Sequence, residues 1–219
     1  MSVIEIKTHP ITHIIVRDFL DSSSKKKLLN SLLPIRENHL KRQTTRPKGL
    51  KKKGEEGTGG NTSIRAYRHG VWLNDVLEEN PTLNRDCIDV LESNMWRDDL
   101  QQAYEDTNDL LFSIHSLFST NSSILFSQYE TGGWMTWHTD PIPVCSASYI
   151  FKFDDRDCLE GDFLLSELLK TDEIINYPFE NNFLIILPSK ALHKVTKVSG
   201  YRYSLNYFMD YSENMNLYV

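Results

Sequence analysis

Apolar residues change their spacing near the middle of this chain. In the first half, residues 11–16 are β-prone, and Asp18-Phe19-Leu20-Asp21 leads into Ser22-Ser23-Ser24, a cluster of candidate N-caps for a helix over 25–33. From Arg36 to Ser63 the pattern dissolves into Lys, Thr, Pro and Gly, with Gly54, Gly57, Gly59 and Gly60 close together, which predicts a long mobile loop. Residues 64–73 read weakly as a strand and 87–93 as a short helix. Leu100, Tyr104, Thr107, Leu111, Ile114 and Phe118 then recur in alternating steps of four and three, one face of an amphipathic helix suited to packing on a sheet. His115 lies off that stripe and reads as structural.

The second half is different. Short β-rich runs occupy 124–129, 146–153, 163–165, 183–187, 194–198 and 202–208, separated by Gly, Pro, Asn or Asp. Regular short strands without long helices between them predict an antiparallel sandwich or barrel. No repeat and no boundary divides the chain, so a single domain over 1–219 is expected, with a helical and strand buttress over 1–123 that carries a mobile basic loop at 37–63.

Charge sharpens this picture. The 219 residues are 40% hydrophobic and 25% charged, ordinary globular values that exclude collagenous, coiled-coil and wholly disordered chains. The net charge of −6 argues against a dedicated binder of nucleic acid or anionic membranes. Yet seven of the 24 basic residues lie between Lys41 and Lys53 with no acid among them, leaving a balance of −13 elsewhere. Three cysteines, Cys87, Cys145 and Cys158, without C-x-x-C spacing, suggest neither a disulfide framework nor a zinc knuckle. No signal-peptide pattern opens the sequence, and the longest strongly apolar run, 183–187, is far short of the ~20 residues of a membrane helix. The expectation is a cytoplasmic protein with no membrane partner.

Candidate chemistry begins at His138-Thr139-Asp140. Residues at i and i+2 of an extended segment share a side, so an imidazole and a carboxylate can meet one ion there. Alone the motif is weak, since chance supplies roughly half a His-x-Asp per chain of this composition. Its surroundings strengthen it. Tyr129, a Gly132-Gly133 turn and an extended run lead into it, and a buried-strand pattern ending in Leu187-Pro188-Ser189 precedes His193. After a Ser199-Gly200 turn, strand alternation puts Arg202, Ser204 and Asn206 on one face. Two His and one carboxylate are the facial ligand set of non-haem Fe(II) oxygenases, which leaves three coordination positions open. Bidentate 2-oxoglutarate takes two and dioxygen the third. The planar guanidinium of Arg202, with the hydroxyl of Ser204 beside it, suits the far carboxylate of the co-substrate.

With these residues in order, the stretch 124–208 resembles the 2-oxoglutarate and Fe(II)-dependent oxygenase superfamily, and within it the prolyl 4-hydroxylase-type branch. The matching residues are Tyr129 with Gly132-Gly133, His138-Thr139-Asp140, Glu160-Gly161-Asp162-Phe163, Leu187-Pro188-Ser189, His193-Lys194-Val195, and Val198 through Ser204. The resemblance implies a mainly β (α+β) fold, a double-stranded β-helix or jelly roll over 124–210 with N-terminal supporting helices. It implies His138, Asp140 and His193 as catalytic metal ligands, Arg202 on the 5-carboxylate of 2-oxoglutarate, and Ser204 and Tyr129 as helpers. Residues 194–208 alone read as a hairpin about Ser199-Gly200; the resemblance places its two strands in opposite sheets instead. One departure is Gly161-Asp162 where the family often has two glycines. Another is the acidic run 154–173, with eight acids against Arg156 and Lys170.

The implied reaction is hydroxylation of an unactivated C–H bond with Fe(II), 2-oxoglutarate and dioxygen, and with ascorbate as a further cofactor. Related halogenases lack the carboxylate that Asp140 supplies. A protein or peptide side chain is the expected substrate. A nucleic acid is the rival, from the basic loop with Trp134 and Trp137, although the nucleic-acid repair branch has a second Arg where Phe208 stands here. A free amino acid or small metabolite stays open. So does a non-catalytic jelly roll that uses the two histidines for a structural zinc.

Overall fold

The computed structural model describes residues 2–44, 66–109, 112, 121–140, 145–154, 160–167, 170–188 and 190–210. The first half begins with β1 (Val3–Lys7) and β2 (His13–Arg17), followed by α1 (Ser22–Asn38), β3 (Lys41–Thr44) and β4 (Ala66–Trp72). Three short helices follow, α2 (Leu73–Glu79), α3 (Asp86–Met95) and α4 (Asp98–Asp106). The second half supplies β5 (Asn121–Tyr129), β6 (Trp134–His138), β7 (Cys145–Phe151), β8 (Phe163–Glu167), β9 (Lys170–Tyr177), β10 (Phe183–Pro188), β11 (Ala191–Val195) and β12 (Arg202–Asp210).

All pairings are antiparallel and form one curled sheet in the order β1-β2-β10-β7-β12-β5-β4-β6-β11-β8-β9, with β3 on the far side of β4. Strand β4 pairs with both β5 and β6 and carries the sheet from one wall to the other. The result is the mainly β jelly roll that the sequence predicts. Four strands of the first half, β1 to β4, are hydrogen-bonded into it.

The sheet buries two faces, as the run of β10 shows. Leu184 and Ile186 join the outer core beneath the helices, while Phe183, Ile185 and Leu187 fill the space between the walls. A strand covered on both faces is apolar at every position rather than at alternate ones. Helix α1 starts where Asp21 Oδ1 accepts the Ser24 amide at 2.8 Å, so the aspartate, not a serine, is the cap. Its inner face buries Leu28, Leu32 and Ile35, each contributing about 1.5–3 kcal/mol.

Three expectations need correction. The loop over 37–63 is shorter at its start. Helix α1 runs through Pro34 to Asn38, its buried face outweighing the one backbone bond that proline removes, and β3 then pairs with β4. The remainder of the basic segment lies outside the described residues. The amphipathic helix projected to Phe118 ends at Asp106, after which Asn108 takes a left-handed φ of +52°. Leu100 and Tyr104 are buried as the stripe requires. Leu111, Ile114, His115 and Phe118 lie outside the described residues, as do Cys158 and Ser189. The hairpin that residues 194–208 suggest by themselves does not form, and the strands separate as the resemblance implies: β11 pairs with β6 and β8, and β12 with β5 and β7. Sequence periodicity also left β1, α2 and β9 unseen. Among the described residues no helix is long and apolar enough to cross a membrane.

Candidate metal centre and anion pocket

A glycine turn aims β6. Gly132 has φ +83°, and a Cβ on Gly133 would stand 2.8 Å from the Glu130 carbonyl oxygen and 2.9 Å from that of Tyr67, so neither position takes a side chain without strain. The turn is clasped to the segment before β12 by Gly132 N–H to Val198 O at 2.8 Å and Val198 N–H to Gly133 O at 2.9 Å.

Strand β6 then carries an irregularity that decides where His138 points. His193 pairs with His138 but Val195 pairs with Met135, so Thr136 and Trp137 together oppose the single Lys194. This bulge lets Met135 and His138, three residues apart, both face inward, and both are buried. Trp137 turns outward, where the Lys194 ammonium lies 4.9 Å from its ring centre.

The two imidazoles face each other across the strand pair with centroids 4.1 Å apart. Each Nδ1 donates to a backbone carbonyl two residues earlier, His138 to Thr136 at 2.9 Å and His193 to Ala191 at 3.0 Å. In that tautomer both Nε2 atoms present lone pairs to the centre. Asp140, just past the end of β6, completes the set: its carboxylate lies 3.9 Å from His138 Nε2 and 3.6 Å from His193 Nε2. The three donor atoms lie within 4.8 Å of one another. Burial, with His193 second, pushes the His138 pKa down to about 3 against the opposing pull of Asp140, so His138 is neutral at physiological pH. Phe163 stacks on His193 at 5.3 Å and holds its ring in plane. Ligands at right angles about an ion at about 2.1 Å stand about 3.0 Å apart, so Asp140 needs to close on each imidazole by less than about 1 Å. The donor set fits a divalent ion with open positions.

Deeper in the barrel, β12 turns Arg202, Ser204 and Asn206 inward, as alternation predicts. Arg202 and Ser204 are each 1% exposed. Arg202 pairs with Tyr129 across β5, its guanidinium carbon 5.4 Å from the Tyr129 ring centre, a cation–π contact that presets the side chain. Ser204 pairs with Ser127, and Asn206 Nδ2 donates to Ser127 Oγ at 3.2 Å and Ser204 Oγ at 3.4 Å. All six residues singled out from sequence therefore belong to one interior. Sequence reasoning missed Ser127 and Arg68. Ser127 carried a signal, being two residues before Tyr129 on the same strand face; Arg68, on a weakly predicted strand, carried none.

No protein-family model matches the sequence, and no curated protein matches it. Similarity is found among solved structures. A prolyl-4-hydroxylase from Pseudomonas putida superposes with TM-score 0.60 at 16% identity, covering 91% of this chain and 92% of that one. A prolyl hydroxylase from Trichoplax adhaerens, solved with a peptide fragment of hypoxia inducible factor, gives 0.59 at 14% identity over 94% and 87%. A 2OG-Fe(II) oxygenase family protein from Burkholderia pseudomallei gives 0.53 at 12% over 90% and 84%. The chain has the fold of the 2-oxoglutarate and Fe(II)-dependent oxygenases, in the form found in prolyl 4-hydroxylases.

Proposed function

We propose that this protein is an Fe(II)- and 2-oxoglutarate-dependent dioxygenase that hydroxylates an unactivated C–H bond of a protein side chain. One observation carries the reading: a two-His, one-carboxylate donor set and a buried arginine open into the same barrel interior. A structural zinc site has no use for that arginine, and a sugar- or lipid-binding jelly roll has no use for the donor set.

His138, Asp140 and His193 would hold Fe(II), a choice supported by N and O donors with open positions rather than a closed tetrahedron. Bound together, iron and 2-oxoglutarate supply the oxidative decarboxylation that is coupled to hydroxylation. The chain supplies the rest. Arg202 binds the 5-carboxylate through its planar donors, Tyr129 holds that guanidinium from one side, and Ser204 offers a hydroxyl on the same strand face. Walls lined by Phe163, Leu165, Ile150 and Leu187 exclude bulk water and strengthen each polar contact. A peptide substrate is favoured by the Trichoplax enzyme, whose structure holds one. Dioxygen and ascorbate follow from the family resemblance of residues 124–208.

Anaerobic titration of the Fe(II) protein with 2-oxoglutarate is expected to give a visible metal-to-ligand charge-transfer band, lost in His138→Ala and shifted to higher 2-oxoglutarate in Arg202→Gln. Succinate release against panels of peptides, nucleic acids and free amino acids, with mass spectrometry for one added oxygen, identifies the substrate. Absence of the band in wild-type protein sinks the proposal.

A further inference from the structure

The barrel holds a second guanidinium that the oxygenase reading does not use. Arg68 lies on β4 with Ala66, two residues before it, buried in the interior cluster, and its side chain reaches the same inward face as Ser127 and Met135. Its Nη1 donates to Ser127 Oγ at 3.2 Å and meets Met135 Sδ at 3.8 Å, while its Nε is buried with no hydrogen-bond partner among the described residues. Tyr129 Oη, also buried, donates to the same Met135 Sδ at 3.4 Å. A thioether is a weak acceptor. Here it receives both a guanidinium N–H and a phenol O–H, two strong donors for which a protein interior normally supplies oxygen.

Ser127 Oγ accepts from Arg68 and from Asn206 Nδ2, which leaves its own proton to give. Among the described residues no carboxylate is paired with Arg68. The Arg68 side chain is half-buried, and its Nε, closed off from solvent with no acceptor, costs about 1–3 kcal/mol unless a ligand completes it. The cluster is therefore rich in donors and short of acceptors, the reverse of a satisfied core.

Its position is equally specific. Met135 is three residues before His138 on the inward face of the bulged strand, and Arg68 Nη1 reaches its sulfur. Arg202 approaches the face of the Tyr129 ring, while the Tyr129 hydroxyl points to Met135, which Arg68 also contacts. The two guanidiniums thus flank one tyrosine, Arg68 toward the metal ligands.

We propose that Arg68, Tyr129 Oη and Ser127 Oγ form a second carboxylate receptor in the barrel, separate from Arg202, with Met135 as its removable lid. It takes the metal-side carboxylate of the co-substrate or the acid group of the substrate, and this assignment of ligand rests on the oxygenase reading. On binding, the flexible thioether swings aside and the anion accepts from the guanidinium, the phenol and the serine hydroxyl. No bond is made or broken.

The test uses the Mn(II)-loaded protein and two probes. N-oxalylglycine, an unreactive dicarboxylate analogue of 2-oxoglutarate, is titrated by calorimetry. Acetate is then titrated into the N-oxalylglycine complex and followed by its paramagnetic relaxation. Arg68→Gln is expected to weaken one of the two by about ten- to a hundredfold, the loss expected for charge-assisted bonds. Loss of N-oxalylglycine affinity assigns the co-substrate carboxylate; loss of acetate assigns a substrate acid. Arg68→Lys, which keeps charge but not the planar donors, should recover part of it. Met135→Leu, which removes the sulfur and keeps the bulk, should bind both probes at least as well as wild type. Thermal midpoints of all variants verify folding.

Equal binding of both probes by wild type and Arg68→Gln overturns the receptor and leaves the oxygenase reading standing. So does a loss in Met135→Leu as large as in Arg68→Gln, which would make the effect one of packing. Arg68-dependent acetate uptake in a protein that binds no N-oxalylglycine supports the receptor and defeats the oxygenase reading. A wild-type protein that takes up neither probe overturns both.

Discussion

Replacing Asp140 by Asn isolates the charge of the candidate metal centre while keeping its shape. The perturbation is local: Asp140 stands 3.9 Å and 3.6 Å from the two imidazole Nε2 atoms, and no other carboxylate joins them among the described residues. Both imidazoles are oriented by backbone carbonyls, and His138 is already neutral, so an arriving ion displaces no proton from it. An ion that binds only the folded chain adds RT ln(1 + [M]/Kd), about 2.7 kcal/mol at a hundredfold excess over Kd. At about 2–4 °C per kcal/mol for a chain of this size, saturating Mn(II) should raise the thermal midpoint by about 5–11 °C. If asparagine weakens the site about a hundredfold, the same Mn(II) concentration leaves a gain of about 0.4 kcal/mol, roughly 1 °C. Scanning calorimetry across an Mn(II) series, with EDTA as the blank, reads both. An undiminished shift in Asp140→Asn and in His193→Ala would mean that the ion binds elsewhere, and the donor geometry would have no bearing on metal.

Other consequences concern the scaffold. Gly133→Ala places a methyl at 2.8–2.9 Å from two backbone oxygens and should cost about 1–3 kcal/mol in urea unfolding, with Mn(II) affinity reduced because the turn aims β6. An undamaged variant would show that the turn yields. Asn182, at φ +64°, accepts from Leu20 N–H at 3.0 Å and Tyr149 Oη at 3.0 Å and donates to Leu20 O at 2.8 Å. Asn182→Ala strands these groups and should cost at least about 2 kcal/mol by chemical denaturation; a loss under about 0.5 kcal/mol refutes that accounting. Burial raises the Cys87 thiol to about 11 and raises Cys145 further. Both should resist iodoacetamide at pH 8.5 in the native protein and react once urea is added, read by peptide mass mapping. Because the Cys87 pKa is raised in the fold, its contribution is whole below about pH 9 and is lost as pH climbs towards about 11. Rapid native alkylation of Cys87 would contradict its burial.

The candidate site was legible in the sequence to an unusual degree because its parts are local. His138 and Asp140 sit at i and i+2, Arg202 and Ser204 alternate on one strand, and both readings need only the two-residue period of extended chain. What escaped was each feature that depends on a partner strand. The bulge opposite Lys194 turns Met135 and His138 to the same side, and no pattern within β6 announces it. Arg68 reads as an ordinary charge in a weak strand, and only the closure of β4 onto β5 and β6 brings its half-buried guanidinium to Ser127 and Met135. Helix ends were misjudged for a related reason: α1 outlasts Pro34 through its buried face, and α4 stops at Asp106 although its stripe continues.

The sequence by itself determined which chemistry this chain can hold, since donor types, glycine turns and strand alternation are properties of a few adjacent residues. The tertiary structure alone decided which wall each strand joins. Residues 194–208 look like a hairpin because a short turn separates two β-prone runs, yet β11 and β12 enter opposite sheets. Each is paired on both edges there, β12 between β5 and β7, and β11 between β6 and β8. Burial of both faces of the curled sheet is a sum over the whole chain, and it is that sum which sets His193 opposite His138 and puts Arg202 in the wall across from them.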